Sequence, residues 1–288
     1  MKILLLISIL FSPLIYSKVP NKRVVVLGFD GLGGYWMRKN MEQMPFTQSL
    51  FNISVHTTKM RCILPTYSGP NWAGILRGTR PIVHGVFNNK IQPIRKKAPL
   101  TIFEVLRNNY PGIKMKVIAD WHGIPEILRD NTFLTKIDSK YEIKDDALNK
   151  TIQAINEGNH FVFTHFDNAD HAGHAHGWGS MKYLEAMRYV DYAIKKVYDH
   201  LKVNNLLDKV DIIITSDHGG SGKGHKGFIR GQVRDIPFIA IGPSFKKGYE
   251  IKQFLLRNFQ VPHIVAKVFN VMTPKNWSFH GDIDDIYR

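Results

Sequence analysis

Five short stretches of the chain, residues 23–29, 114–119, 160–166, 211–215 and 237–241, are dominated by Val, Ile, Leu, Phe and Ala, and most are apolar throughout. Strands with one face in water alternate apolar and polar positions, so runs apolar at every position predict strands buried on both faces of a largely parallel sheet. Helical patterns lie between them. Residues 101–109 open with a Thr101/Glu104 capping box, residues 145–157 form a second helix, and residues 180–203 carry an apolar stripe at Tyr183, Met187, Val190, Ile194 and Val197. Strand and helix alternate, which predicts an α/β fold with helices on both sheet faces. The chain holds no internal repeat, no low-complexity tract and no linker long enough to separate domains. We therefore expect one domain over residues 18–288.

Residues 1–17 stand apart. Met1-Lys2, an apolar run from Ile3 to Ile15 and the exit Tyr16-Ser17-Lys18 have the layout of a cleaved secretory signal peptide. The apolar run is well short of the roughly 20 residues that span a bilayer, so the expectation is a secreted or periplasmic protein without a stable membrane anchor. The 288 residues are 44% hydrophobic and 22% charged, a globular composition compatible with an enzyme. A net charge of +15 favours anionic partners. The lysines are scattered as pairs (Lys96-Lys97, Lys195-Lys196, Lys246-Lys247) without interleaved aromatics, so no nucleic-acid groove is evident. Cys62 is the only cysteine and reads as a small buried residue.

Candidate chemistry gathers where the apolar runs end. Asp30 follows Val24-Val25-Val26-Leu27-Gly28-Phe29, and Asp217-His218 follow Ile212-Ile213-Ile214-Thr215-Ser216. Strand-Asp-Gly alone is common as a turn or a helix cap. The segment from Asp167 to Gly177 is richer, with Asp167, Asp170, His171, His174 and His176 on the end of a strand. Either Asp167 with His171 or Asp170 with His174 has the spacing to share an ion, and only the second pair has a glycine before the His to let the backbone bend. His225 lies in a Gly/Lys loop, and His280 is its rival as a further ligand. Carboxylates mixed with imidazoles suit zinc, with manganese as the alternative, and six or seven such ligands suit two ions. Ser68, in the Pro/Gly-punctuated turn Pro65-Thr66-Tyr67-Ser68-Gly69-Pro70-Asn71, reads either as a helix cap or as a nucleophile. Trp72, Trp121, Trp178 and Tyr67 either stack on a base or pack in core and rim.

Taken in order, these segments resemble the alkaline phosphatase superfamily, and most closely its type I phosphodiesterase / nucleotide pyrophosphatase branch. The resemblance runs from about Arg23 to Lys247 through strand-Asp30-Gly31, the Pro65–Asn71 turn, Gly78…Pro81…His84-Gly85…Asn89, Asp170-His171-Ala172-Gly173-His174 and Ser216-Asp217-His218-Gly219. It implies a three-layer α/β/α sandwich with a largely parallel central sheet. It also implies two divalent ions, one held by Asp30, Ser68, Asp217 and His218 and the other by Asp170, His174 and His225. Asp167 and His171 become neighbours of the ligands. Ser68 then falls on the nucleophile position and Asn89, with Asn88 beside it, on the oxyanion-stabilising asparagine. The implied activity is hydrolysis of a small phosphate ester, a diester, a nucleotide or a monoester, through a phosphoserine. Two departures stand out: Ser68 where the branch mostly has Thr, and a final His close after Asp-His-Gly. A sulfatase is the rival enzyme, yet Ser68-Gly69-Pro70-Asn71-Trp72 has Trp72 where a sulfatase needs Arg. A non-catalytic anion-binding relative is the rival from another class.

Overall fold

The computed structural model describes residues 18–288 apart from 92–93, 95–96, 129, 131, 133, 137–144, 227–229, 253–254, 279–280 and 282. The expected leader and His280 thus lie outside the described residues. Among the described residues, eight strands form one sheet: β1 (Arg23–Phe29), β2 (Val55–Arg61), β3 (Met115–Ala119), β4 (Leu134–Lys136), β5 (Phe161–Phe166), β6 (Val210–Thr215), β7 (Asp235–Ile241) and β8 (Tyr249–Glu250). Their order across the sheet is β4-β3-β5-β1-β6-β7-β2-β8. The first five in that order run parallel.

Alternate residues of β1 explain why it is apolar at nearly every position. Val24 and Val26 enter one core, with Trp72, Ile75 and Leu76 of the helix Ser68–Arg77 and Phe103 and Leu106 of the helix Ile102–Asn109. Val25, Leu27 and Phe29 enter the other, with Tyr183, Met187, Val190 and Ile194 of the helix Met181–Val203. Each buried Val, Leu or Phe side chain contributes about 1.5–3 kcal/mol, and both layers draw on this central strand. The helices therefore flank both faces, as the sequence predicts. Thr101 and Glu104 form the expected reciprocal cap, with Thr101 N donating to Glu104 Oε2 at 2.7 Å and Glu104 N to Thr101 Oγ1 at 3.2 Å.

The sheet departs from the sequence reading in several details, and the short β4 and β8 lie outside the predicted runs. β7, expected among parallel strands, runs antiparallel to both β6 and β2. β2 was not predicted, because its sequence VHTTKMR mixes buried and half-exposed positions instead of forming an apolar run. The functional consequence lies in the parallel block. Its carboxyl ends deliver Asp30 after β1, Asp120 after β3, Asp167 after β5 and Asp217 after β6 to one edge, where α/β sheets gather their ligands.

Candidate metal centre and nucleophile

The His-rich segment is helical rather than looped. It spans Asn168–His176, so Asp170 and His174 sit one turn apart on one face, with His174 Nε2 3.4 Å from Asp170 Oδ2. Gly173 has a different reason from the expected backbone bend: a Cβ there would stand 2.5 Å from the Trp178 indole, which is buried against it. Gly31, at φ +71°, lets this helix close on β1, since a Cβ would meet Asp170 Cα at 2.6 Å.

Three histidines are oriented by the same device. His174 Nδ1 lies 3.0 Å from Lys223 O, His218 Nδ1 3.0 Å from Gly219 O, and His225 Nδ1 2.5 Å from Thr66 O. A carbonyl only accepts, so each Nδ1 carries a hydrogen, and in a neutral ring the lone pair then lies on Nε2. His218 and His225 stack at 3.9 Å, and the rings of His174 and His225 are 5.0 Å apart. Burial, followed by the neighbouring His225, pushes His218 down to about 3, and burial also lowers His225. Both are neutral imidazoles at physiological pH.

The carboxylates converge on the same space. Asp217 Oδ1 accepts from Gly31 N at 3.1 Å, and Asp30 Oδ2 accepts from Trp72 Nε1 at 2.8 Å and His165 Nε2 at 3.0 Å. The remaining oxygens Asp30 Oδ1, Asp217 Oδ2 and Asp170 Oδ1 are buried without a hydrogen-bond partner. His218 Nε2 is 3.5, 3.2 and 3.9 Å from those three oxygens. Burial and then the Asp30 charge raise Asp170 and Asp217 well above the ordinary carboxylate range. Burial works the same way on Asp30, but the His165 hydrogen bond, the His218 and His165 charges and the Trp72 donor outweigh it and hold that carboxyl low. Bare buried oxygens facing bare imidazole nitrogens fit divalent cations, and the mixed O/N donor set suits zinc or manganese. The donors of Asp30, Asp217 and His218 lie within 4.8 Å of one another, as do those of Asp170, His174 and His225. The structure therefore brings all six Asp and His candidates together in the two groups that the resemblance implied.

Ser68 is the first residue of its helix, follows the N-cap Tyr67, and is buried. Its Oγ lies 3.2 Å from His218 Nε2. Asn89 Oδ1 accepts from Gly69 N at 2.8 Å, which holds this side-chain amide against the residue that follows Ser68. The Asn88 side chain instead accepts from Lys90 N within its own turn. A cavity of about 790 Å³ is lined by Tyr67, Asn89, His174, Lys223, His225 and Arg230 among others.

Of the four aromatic candidates, Tyr67 lines this cavity, whereas Trp72 and Trp178 are buried and donate to Asp30 Oδ2 and Gly31 O. Trp121, half-buried, packs 6.2 Å from the His165 ring. Sequence reasoning missed His165, a lone histidine in an apolar strand with no local signal to mark it. It is fully buried and forms a third group with Asp30 and Asp167. Burial, then the Asp30 charge, pushes Asp167 up to about 8.

The profile of the type I phosphodiesterase / nucleotide pyrophosphatase family matches residues 24–99 and 109–226. Ectonucleotide pyrophosphatase/phosphodiesterase family member 1 of Rattus norvegicus is 26% identical over 226 residues, 72% of this chain and 25% of the relative. Bis(5'-adenosyl)-triphosphatase ENPP4 of Homo sapiens is 24% identical over 245 residues, 75% of this chain and 52% of the relative. The chain thus spans about a quarter of the length of the first relative and about half of the second. Murine ectonucleotide pyrophosphatase / phosphodiesterase 5, solved in an inactive form in complex with AMP, superposes with a TM-score of 0.72 at 14% identity, covering 93% of this chain and all of that one. That likeness shows the fold. Because the profile extends from β1 through the Ser68 turn to His225, the chain belongs to the type I phosphodiesterase / nucleotide pyrophosphatase family of the alkaline phosphatase superfamily.

Proposed function

We propose that this chain is a metal-dependent phosphoric ester hydrolase with Ser68 as nucleophile. The observation that carries the reading is one buried hydroxyl at a helix start, facing one carboxylate–imidazole group with a second group beside it. Zinc or manganese ions held by Asp30, Ser68, Asp217 and His218 and by Asp170, His174 and His225 would supply positive charge that acidifies a hydroxyl and neutralises phosphoryl oxygens. His218 alone is too weak a base to take the Ser68 proton at neutral pH, which favours metal activation over a Ser–His pair. Ser68 Oγ, its proton lost to solvent, attacks phosphorus in line and forms a new P–O bond as the ester P–O bond on the opposite side breaks, the departing oxygen takes a proton from water, and Asn89 Nδ2 donates to a phosphoryl oxygen. Water then cleaves the Ser68–phosphorus bond, which restores the hydroxyl and releases phosphate from a monoester or a phosphate monoester from a diester.

The substrate is a small phosphate ester, and the cavity volume and the cations Lys223, Lys226 and Arg230 on its wall suit a ligand the size of a nucleotide. The nucleotide chemistry in the relatives' names supports the same class. Placement outside the cytoplasm belongs to this reading, supported by the apolar leader and the "ecto" relatives. Sulfatase chemistry is disfavoured because Trp72, at the position of the sulfatase Arg, is committed to Asp30. Assaying p-nitrophenyl phosphate, bis-p-nitrophenyl phosphate and p-nitrophenyl sulfate with and without a chelator tests the proposal. Chelator-sensitive turnover of a phosphate ester is expected; turnover confined to the sulfate, or phosphate ester turnover indifferent to chelation, rejects it.

A further inference from the structure

Asp30 is held by two residues that no local motif announces. Asp30 lies one residue past the end of β1, two residues beyond Gly28, and the alternation of the strand carries both toward the same face of the sheet. A Cβ at Gly28 would stand 2.7 Å from Trp72 Cη2, so the missing side chain is the slot into which the indole fits. In the parallel register Gly28 pairs with His165 of β5, which places that imidazole beside the same slot. The Trp72 and His165 rings meet edge to face at 4.9 Å and 69°. Both are fully buried, and both donate to one oxygen, Asp30 Oδ2, at 2.8 and 3.0 Å. The other oxygen, Oδ1, has no partner and faces His218 Nε2 at 3.5 Å.

We propose that His165 and Trp72 are positioning residues that make Asp30 a one-oxygen ligand and thereby set the affinity of the first ion, leaving the second ion at Asp170, His174 and His225 to its own donors. The inference rests on the two-metal reading above. A carboxylate with both oxygens free can rotate or bind in a bidentate manner; two donors on Oδ2 oppose both and leave Oδ1, which faces His218 Nε2, as the Asp30 oxygen offered to an ion. Outer partners that orient a metal ligand typically change affinity by 10–100-fold when removed. The tryptophan occupies the place that a sulfatase gives to arginine, and the positions needed for this clamp, Gly28, Trp72 and His165, come from β1, a helix and β5.

The experiment is a zinc titration of the full chain against a chelating dye, with ion stoichiometry from elemental analysis and steady-state kinetics on bis-p-nitrophenyl phosphate alongside. His165→Ala is expected to weaken one of two ions about 10–100-fold while the other is retained, and to lower kcat at low zinc more than at saturating zinc. His165→Gln, which returns an N–H at similar reach, is expected to recover most of that loss. Trp72→Phe, which removes only one donor from the clamp and keeps an aromatic ring, is expected to shift the same ion in the same direction and decides the matter if His165→Ala does not fold. Two ions bound with wild-type affinity in both Trp72→Phe and His165→Ala would overturn the inference. So would a loss in His165→Ala that His165→Gln does not repair and Trp72→Phe does not share, since that pattern marks lost packing. A wild-type chain that binds no zinc fails at the earlier step and rejects the two-metal reading itself.

Discussion

Asp217→Asn should stabilise the metal-free protein while destroying its response to metal. Donor atoms of Asp30 and Asp217 lie within 4.8 Å of each other, and two unit charges at that distance repel by about 3.5 kcal/mol at an effective dielectric of about 20. Partial protonation of Asp217 relieves some of this, so the gain from an amide is about 1–3 kcal/mol. The replacement fits sterically and chemically. An Asn Oδ1 still accepts from Gly31 N, where Asp217 Oδ1 now does at 3.1 Å, and its Nδ2 takes the place of the partnerless Oδ2, 3.2 Å from the bare Nε2 of His218. For a chain of this size each kcal/mol moves the unfolding midpoint by about 2–4 °C, so a rise of about 2–12 °C is expected in chelator. The sign with pH follows from the raised Asp217 carboxyl, whose causes are burial and then the Asp30 and Asp170 charges. Between the ordinary carboxylate range and that raised value the folded chain holds a proton that the unfolded chain has lost. Metal-free wild type therefore loses stability as pH rises through the window. The gap to Asp217→Asn should be near zero at about pH 4 and widen toward pH 8. In saturating zinc the order should reverse, because the variant has lost a ligand. Thermal unfolding by circular dichroism, with chelator and with zinc, reads all of this. A variant that melts below wild type in chelator at pH 8 refutes the reasoning, since repulsion at the site would then not outweigh the lost charge–dipole contact with Gly31.

Three further outcomes follow from single side chains. Ser68→Ala should lower turnover on the order of 10⁴-fold or more while barely moving the unfolding midpoint, because the lost oxygen has His218 Nε2 as its hydrogen-bond partner, and substrate radiolabelled at phosphorus should no longer leave an acid-stable label on the chain. Asn89→Ala should reduce kcat by about 10²–10³-fold with a smaller effect on KM, as measured by steady-state kinetics, because the proposed role of this amide, held against Gly69 N next to Ser68, is to donate where charge develops on phosphoryl oxygens. Cys62, fully buried and pushed up to about 12 by burial, should stay unreactive toward an aromatic disulfide reagent in the native protein and release one equivalent of thiolate dye on unfolding in denaturant; rapid labelling of the native chain would contradict its place in the core.

The features of this site that the sequence exposes are those written in consecutive residues. β1, β5 and β6 read as strands because both faces of each are buried, and Asp30, Asp170, Asp217 and His218 read as ligands because each lies at or just past the end of such a run. β2 does not read this way, since half-exposed positions interrupt its apolar pattern. Gly173 shows how a correct residue can carry the wrong reason: it marks the right Asp/His pair, yet what requires it is the Trp178 ring, five residues on in sequence and packed back across the helix. The orientation of the histidines is harder still to read, because Thr66, Lys223 and Gly219 contribute carbonyl oxygens that any residue would offer. Only the path of the backbone decides that they point at Nδ1. His165 is the limiting case. Its importance depends on the register of β5 against β1, which pairs it with Gly28, and on a separate helix that places Trp72 in the gap Gly28 leaves. No window of sequence contains that arrangement. The ligands were therefore legible as residue types, whereas the groups that make them usable ligands, by choosing which atom of each is left bare, belong to the tertiary fold.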